Sequence, residues 1–201
     1  MLDTIFKVVW VIGLILASVP RVRYTRLYRQ KRIADDRNTG LDIGLDMLLV
    51  ALPALGMFFI PLLCMLTPWL DFADYRLPTW ASLVAGLVGA VTFAVALWLL
   101  WRGHADLGRN WSPKLEVMEE HSLVTQGVFR HIRHPMYAAH LLWGIAQAFL
   151  LQNWIAGWAF LVSSLPLYLV RIPREEQMML EHFGDEYREY MSRTGRVIPR
   201  P

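Results

Sequence analysis

The side chains best suited to chemistry lie on both sides of one long uncharged segment in the C-terminal third of the chain. HSLVTQGVFRHIRHPMY precedes this segment and begins at His121, and RIPREEQ follows it and begins at Arg171. An arginine offers paired donors to a carboxylate, and a glutamate offers a negative partner to a cation. If residues 135–170 double back on themselves, the two polar stretches meet at one membrane face, and we expect the active site there.

Arg171 and Glu175 are four positions apart, so they share a face if one helix continues through Pro173. An anion-binding group would then lie beside a cation-binding group. Each residue also has a plainer interpretation. Arg171 fits an anchor that obeys the positive-inside rule, and Glu175 with Glu176 fits the first turn of a helix, where acids are favoured. Position alone favours these plainer interpretations.

The histidines are poor candidates for a metal centre. His131 and His134 have no cysteine or clustered carboxylate beside them, and Pro135 ends the local helix geometry. His140 lies inside the uncharged segment, where we predict a hydrogen bond between helices rather than a proton relay. The sequence contains no G-x-G-x-x-G after a strand, no P-loop and no nucleophile elbow, so any cofactor must be held by the loops and the helices themselves.

The composition predicts a membrane protein. Of the 201 residues 55% are hydrophobic and 18% are charged, whereas ordinary globular chains carry about 25% charged residues. Three segments have no formal charge, 47–66, 77–101 and 135–170, and a shorter apolar segment lies at 5–19. A dense basic cluster follows the segment at 5–19, which favours a retained helix over a signal peptide.

The last uncharged segment is too long for one span. Its 36 residues would form a helix of about 54 Å, whereas the hydrocarbon core of a bilayer is about 30 Å thick. Gln152 and Asn153 supply a turn near its middle. We therefore predict an all-α, polytopic transmembrane helix bundle of about five spans, in which the last two form a helical hairpin.

The basic residues predict the orientation of the bundle. Of the 20 Lys and Arg residues, 18 fall on one side of the predicted spans. The positive-inside rule then places the N-terminus outside and both polar stretches and the C-terminus in the cytoplasm. This topology explains the basic pI of about 9.2 without a nucleic-acid partner.

We divide the chain into residues 1–101, with the first three spans, and residues 102–201, with a cytosolic loop, the hairpin and a C-terminal helix. A new helix is predicted to begin at Pro173, because proline and acids suit a first turn. Gly184 is expected to interrupt it. Apolar residues at helical spacing predict an amphipathic face that lies on the membrane or packs under the bundle, formed by Leu180, Phe183, Tyr187, Tyr190 and Met191.

The motifs GVFRHIRHPMY, R-x-P-x-E-E and FGDEYREY resemble the isoprenylcysteine carboxyl methyltransferase family, and its short prokaryotic members in particular. The resemblance covers about half of the chain, from His104 to Pro199. Phospholipid methyltransferases and sterol reductases share related C-terminal elements, so these motifs are more specific for the superfamily than for the substrate.

The resemblance implies S-adenosylmethionine as cofactor, with S-adenosylhomocysteine as product, held by cytosolic loops at a prokaryotic cell membrane. Arg171 would hold the substrate carboxylate and would form the catalytic pair with Glu175. Phe129 stands where members of the family often have tyrosine. The residues that would contact the cofactor are Lys114, His121, Ser122, Leu123, Val124, Phe129, His134, Pro135, Met136, Tyr137 and Glu175.

The implied reaction is methylation of the carboxylate of a lipophilic substrate, such as a C-terminal S-isoprenylcysteine. A terminal carboxylate has a pKa of about 3.5, so it is ionised at neutral pH and its attack on a sulfonium methyl group needs no general base. A methyltransferase for a phospholipid, or for a small lipophilic amine or thiol, is the alternative. An amine would need a base, with Glu176 or a histidine as candidate. A non-catalytic membrane scaffold or carrier is the other alternative, and it predicts no cofactor binding.

Overall fold

The computed structural model describes residues 2–33, 43–112 and 122–200, and their regular structure is helical. The α-helices are α1 Leu2–Ile33, α2 Ile43–Ala54, α3 Ile60–Leu66, α4 Thr79–Leu107, α5 Pro135–Leu151, α6 Ala159–Phe183 and α7 Asp185–Arg193. A π-helical turn joins α2 to α3, and three 3-10 turns lie at Pro68–Ala73, Gly108–Asn110 and Gly127–Arg130. The predicted all-α class is confirmed.

Two of these helices are long and apolar enough to cross a bilayer. They are Leu2–Gln30 and Thr79–Asn110, and shorter apolar helices occupy Ala51–Leu66 and Pro135–Leu151. These four stretches coincide with predicted spans. The count of five spans and the division at residue 101 stay predictions.

The second apolar stretch is not one regular α-helix. The π-helical turn Leu55–Phe59 lies between Pro53 and Pro61. A proline lacks the N–H of a regular helical bond, so carbonyl groups near it need other donors. The side-chain amide of Gln147 on α5 donates to the carbonyl of Gly56 at 3.0 Å, which ties this turn to the hairpin.

The hairpin turns where the sequence predicts it. α5 ends at Leu151, the next residue Gln152 has a left-handed φ of 48°, and α6 begins at Ala159. α5 packs mainly along α4, and Gly89 of α4 permits this approach. A Cβ at Gly89 would lie 2.9 Å from the Cβ of Phe149 and 3.0 Å from the Cγ of Leu150. The core of the bundle is aromatic, with Trp10, Phe93, Trp143 and Phe160 at most 2% exposed.

One prediction about the tail is wrong. No new helix begins at Pro173, because α6 continues from Ala159 to Phe183 through both Pro166 and Pro173. Proline is tolerated inside such a helix where water or neighbouring groups satisfy the carbonyls that it leaves without donors. The last span and the polar tail are therefore one helix, and the spacing of four from Arg171 to Glu175 falls on one helical face.

α6 ends at the glycine where the sequence predicts an interruption. Gly184 adopts a φ of 55° and separates α6 from α7. All five residues of the predicted apolar face are buried or half-buried. The hydroxyl of Tyr190 on this face donates to the carbonyl of Phe129 at 2.6 Å. In the described structure α7 therefore packs against the loop before α5.

Candidate functional site

A cavity of about 500 Å³ lies between α1, α2, the hairpin and the loop that precedes α5. Ligand pockets commonly have volumes of about 300–1,000 Å³. Every predicted site residue within the described ranges lines this cavity: Ser122, Leu123, Val124, Phe129, His134, Pro135, Met136, Tyr137, Arg171 and Glu175. Lys114 and His121 lie outside the described residues. The structure thus brings these residues together, and their roles stay predictions.

Glu175 is the polar centre of the cavity wall. Its Oε1 accepts from the hydroxyl of Tyr137 at 2.6 Å and from Nε of Arg171 at 3.2 Å. Its Oε2 lies 3.4 Å from Nδ1 of His134. A carboxylate has about four acceptor positions, so Glu175 retains capacity for one further donor.

His134 bridges two carboxylates. Its Nδ1 faces Glu175, and its Nε2 lies 3.3 Å from Oε1 of Glu176. Burial disfavours the charged ring, but hydrogen bonds and charge from both glutamates outweigh burial and raise the pKa of His134. Burial likewise opposes ionisation of Glu175, yet His134 and Arg171 hold the pKa of that carboxyl below its usual value. A protonated His134 that donates to both glutamates accounts for both directions.

Glu176 is an ion-paired anchor rather than a base. Its side chain is almost completely buried and accepts from Nε of Arg133 at 3.1 Å and from Nε and Nη2 of Arg196. Burial would raise the pKa of Glu176, but His134 and the two arginines lower it to about 2. So acidic a carboxyl binds a proton too weakly to serve as a general base near pH 7.

The C-terminal segment closes onto the loop before α5. Backbone N–H groups of Arg133 and His134 donate to the carbonyls of Gly195 and Arg196 at 2.8 and 2.9 Å. Nη1 of Arg133 also donates to the carbonyl of Met191 at 3.1 Å. We call the charged residues joined here the carboxylate cluster: Arg133, His134, Arg171, Glu175, Glu176 and Arg196.

The other histidines differ in their surroundings. Nε2 of His140 on α5 lies 3.4 Å from Nη2 of Arg21 on α1, so the predicted contact between helices is confirmed. His131 is exposed. Within the described ranges no group of three or more His, Cys, Asp or Glu side chains is placed to hold a metal ion.

Much of the cavity wall was not predicted from the sequence. The wall includes Arg21 of α1, Met57 and Phe58 of the π-helical turn, and Tyr168 of α6. The hydroxyl of Tyr168 is buried. In the sequence, Arg21 is the first charged residue after one apolar segment, and Tyr168 is a hydroxyl-bearing residue within another. Nothing in the sequence shows that these two positions face one cavity.

Together these features define an all-helical protein with apolar helices of bilayer length and a ligand-sized cavity walled by paired carboxylates, arginines and a histidine. Residues 87–181 match the sequence model of the isoprenylcysteine carboxyl methyltransferase (ICMT) family. The matched residues include α5 and the part of α6 that carries Arg171, Glu175 and Glu176.

Curated relatives carry matching names. The chain is 35% identical over 94 residues to protein-S-isoprenylcysteine O-methyltransferase B of Arabidopsis thaliana, covering 46% of this chain and 48% of the relative. It is 30% identical over 141 residues to the protein-S-isoprenylcysteine O-methyltransferase of Homo sapiens, covering 67% of this chain and 49% of the relative. The chain thus spans about half the length of these two curated relatives.

A probable protein-S-isoprenylcysteine O-methyltransferase of Oryza sativa subsp. indica is 28% identical over 131 residues, covering 64% of this chain and 65% of the relative. Among solved structures, the eukaryotic intramembrane Ras methyltransferase ICMT has a TM-score of 0.48 and is 23% identical, covering 83% of this chain and 56% of that chain.

Proposed function

We propose that this protein is an S-adenosylmethionine-dependent methyltransferase that converts the carboxylate of a lipophilic substrate, such as a C-terminal S-isoprenylcysteine, to its methyl ester. The observation that carries the proposal is the Arg171–Glu175 pair in the wall of the cavity, within the segment that matches the family. The names of the curated relatives support the same reaction.

The cavity fits the cofactor. Glu175 offers a carboxylate with remaining acceptor capacity, which suits an ammonium group. Phe129, Tyr137, Met178 and Met179 add aromatic and thioether surface to the same wall, which suits the nucleoside and the thioether chain. The cofactor supplies, when bound, an electrophilic methyl group on a sulfonium. Phe129, the segment 122–124 and the loop at His134 would enclose it from the cytosolic side.

The chain then has to orient and desolvate the substrate. Arg171 would hold the substrate carboxylate so that one oxygen points at the methyl group. Transfer of the methyl group from the sulfonium to that oxygen would give a neutral methyl ester and S-adenosylhomocysteine. No proton moves, which agrees with a site whose buried acid Glu176 is ion-paired. The apolar wall at Met57 and Phe58 would accommodate the lipophilic tail.

The amine alternative is less well supported. An ammonium substrate must lose a proton before it can attack, and the candidate base Glu176 is already bound to Arg133, His134 and Arg196. The charge asymmetry of the sequence supports an orientation with the cavity open to the cytoplasm.

Calorimetric titration of the purified protein with S-adenosylhomocysteine tests the proposal. We expect saturable binding and methylation of N-acetyl-S-farnesylcysteine. Arg171→Ala should reduce kcat/KM by about 100-fold, as expected when one hydrogen-bonded charge partner is removed. Arg174→Ala is the matched control, because Arg174 lies on the same helix and is exposed. Absence of S-adenosylhomocysteine binding to the wild-type protein would overturn the methyltransferase proposal and favour the scaffold or carrier.

A further inference from the structure

We propose that Arg21, paired with His140, is a second carboxylate-binding group of the cavity and determines specificity for an anionic ligand. The inference rests on the proposed function, because it assigns a substrate or cofactor carboxylate to that same cavity. Arg21 lies outside the segment that matches the family, residues 87–181.

The contacts of Arg21 leave its charge uncompensated. Its Nη2 lies 3.4 Å from Nε2 of His140, and among the described residues no carboxylate lies within 4 Å of its guanidinium. The other cations of the cavity wall differ in this respect. Arg133 is paired with Glu176, and Arg171 with Glu175.

The position of Arg21 also differs from that of a simple anchor. A snorkelling arginine extends along the helix toward water. Arg21 instead contacts His140, the sixth residue of α5, and lines the main cavity together with Met57, Phe58 and Phe160. A cation held among apolar side chains without a counterion costs free energy, and an arriving carboxylate would offset that cost. Part of the Arg21 residue stays accessible, so a ligand that enters the cavity can reach it.

Two ligands of the proposed reaction carry a carboxylate. One is the lipophilic substrate, and the other is the methionine portion of the cofactor. The chemistry that Arg21 recognises is the same for both, namely a planar anion with two acceptor oxygens. Whichever of these two ligands Arg21 binds, a neutral residue at position 21 should weaken binding of the ligand that carries the carboxylate. It should not weaken binding of the matching ligand without the carboxylate.

The test uses the full-length protein in detergent, with Arg21→Gln as the variant and Arg26→Gln as the matched control. Arg26 lies on the same helix and is exposed. Affinities are measured by calorimetry for S-adenosylhomocysteine and for its decarboxylated analogue. They are also measured for N-acetyl-S-farnesylcysteine and its methyl ester, so that the result does not depend on turnover.

If Arg21 binds the substrate, Arg21→Gln weakens binding of the farnesylcysteine acid by about tenfold or more, and the ester and S-adenosylhomocysteine bind as before. If Arg21 binds the cofactor, Arg21→Gln weakens binding of S-adenosylhomocysteine by the same factor and leaves binding of its decarboxylated analogue unchanged. Affinities within twofold of those of Arg26→Gln for all four ligands would overturn the inference.

Two further outcomes remain informative. If Arg21→Gln does not fold, Arg21→Lys replaces it, because lysine keeps the charge and loses the paired donors. An acid-to-ester preference and an S-adenosylhomocysteine affinity both within twofold of wild type in Arg21→Lys would then overturn the inference. If wild type binds no S-adenosylhomocysteine, the proposed function fails, and the affinities for the acid and the ester still decide whether Arg21 binds a carboxylate.

Discussion

Polar side chains are buried near both ends of the hairpin, and the protein satisfies their hydrogen bonds to different extents. Asn153, at the turn between α5 and α6, is completely buried and neutral. Its amide donates to the carbonyl of Leu70 and to Oδ1 of Asp74, both at 2.8 Å. Its side-chain oxygen accepts from the backbone N–H groups of Ile155 and Ala156 at 3.0 and 2.8 Å. The chain itself uses the full hydrogen-bonding capacity of this residue.

Gln147, which lies on α5 before the turn, is also buried and bonded to other parts of the protein. Its amide donates to the carbonyls of Gly56 and Ala156, and its oxygen accepts from Nε1 of Trp10 at 3.3 Å. We call Gln147 and Asn153 with these partners the turn cluster. Neither residue lines the 500 Å³ cavity.

The carboxylate cluster at the opposite end of the hairpin is charged and only partly satisfied by the chain. Glu175 retains acceptor capacity, and Arg171 and Glu175 both line the cavity. The difference shows that burial of a polar residue in an apolar helix does not by itself indicate function. What separates the two cases is whether protein partners use all donors and acceptors and whether a cavity lies beside them.

Among changes that distinguish the two clusters, replacement of Glu176 should have the largest effect on stability. Glu176→Ala removes the shared partner of Arg133, His134 and Arg196 and leaves buried positive charge uncompensated. We expect a loss of about 3–5 kcal/mol in the free energy of unfolding. The measurement is denaturant unfolding in detergent, with Glu181→Ala on the exposed face of the same helix as control. Equal stability of the two variants would show that the cluster is not a structural anchor.

A smaller effect is expected from the turn cluster. Asn153→Leu leaves the N–H groups of Ile155 and Ala156 without their acceptor, and we expect a loss of about 1–3 kcal/mol in the free energy of unfolding. Folded Asn153→Leu protein should keep the wild-type affinity for S-adenosylhomocysteine, measured by calorimetry. A large change in that affinity would break the distinction drawn between the two clusters.

The smallest effect should appear in the dependence of the melting temperature on pH. The raised pKa of His134 means that its stabilisation is complete below about pH 6.5, the unfolded value, and is lost as pH rises through the folded value. The lowered pKa of Glu176, about 2, means that its stabilisation is complete above about pH 4.3 and is lost as pH falls toward 2.

We therefore expect the stability from the carboxylate cluster to be greatest between about pH 4.3 and 6.5 and to decline on the alkaline side. His134→Gln should remove that alkaline decline, whereas Asn153→Leu should retain it. Thermal melts from pH 4 to 9 test this. A decline of the same size in His134→Gln and wild type would show that another group titrates.

Much of the fold could be predicted from the lengths of the apolar segments and from the residues that interrupt them. The turn at Gln152 followed because a helix of 36 residues is longer than the hydrocarbon core of the bilayer is thick. The continuity of α6 did not follow. Local signals at Pro173 favour a helix start, but a helix already formed can continue through proline when its freed carbonyls find other partners.

The sequence by itself determined the all-α class and the pairing of two polar stretches across a hairpin, because helix length and charge are properties of short segments. Its motifs also indicated part of the cavity wall after α4, namely residues 122–124, Phe129, residues 134–137, Arg171 and Glu175. The tertiary structure alone decided that Glu176 is an ion-paired anchor while Glu175 faces the cavity, and that Arg21 of α1 joins them. Adjacent glutamates project in directions about 100° apart on a helix, and the packing of α1, α5 and the C-terminal segment around α6 selects their partners.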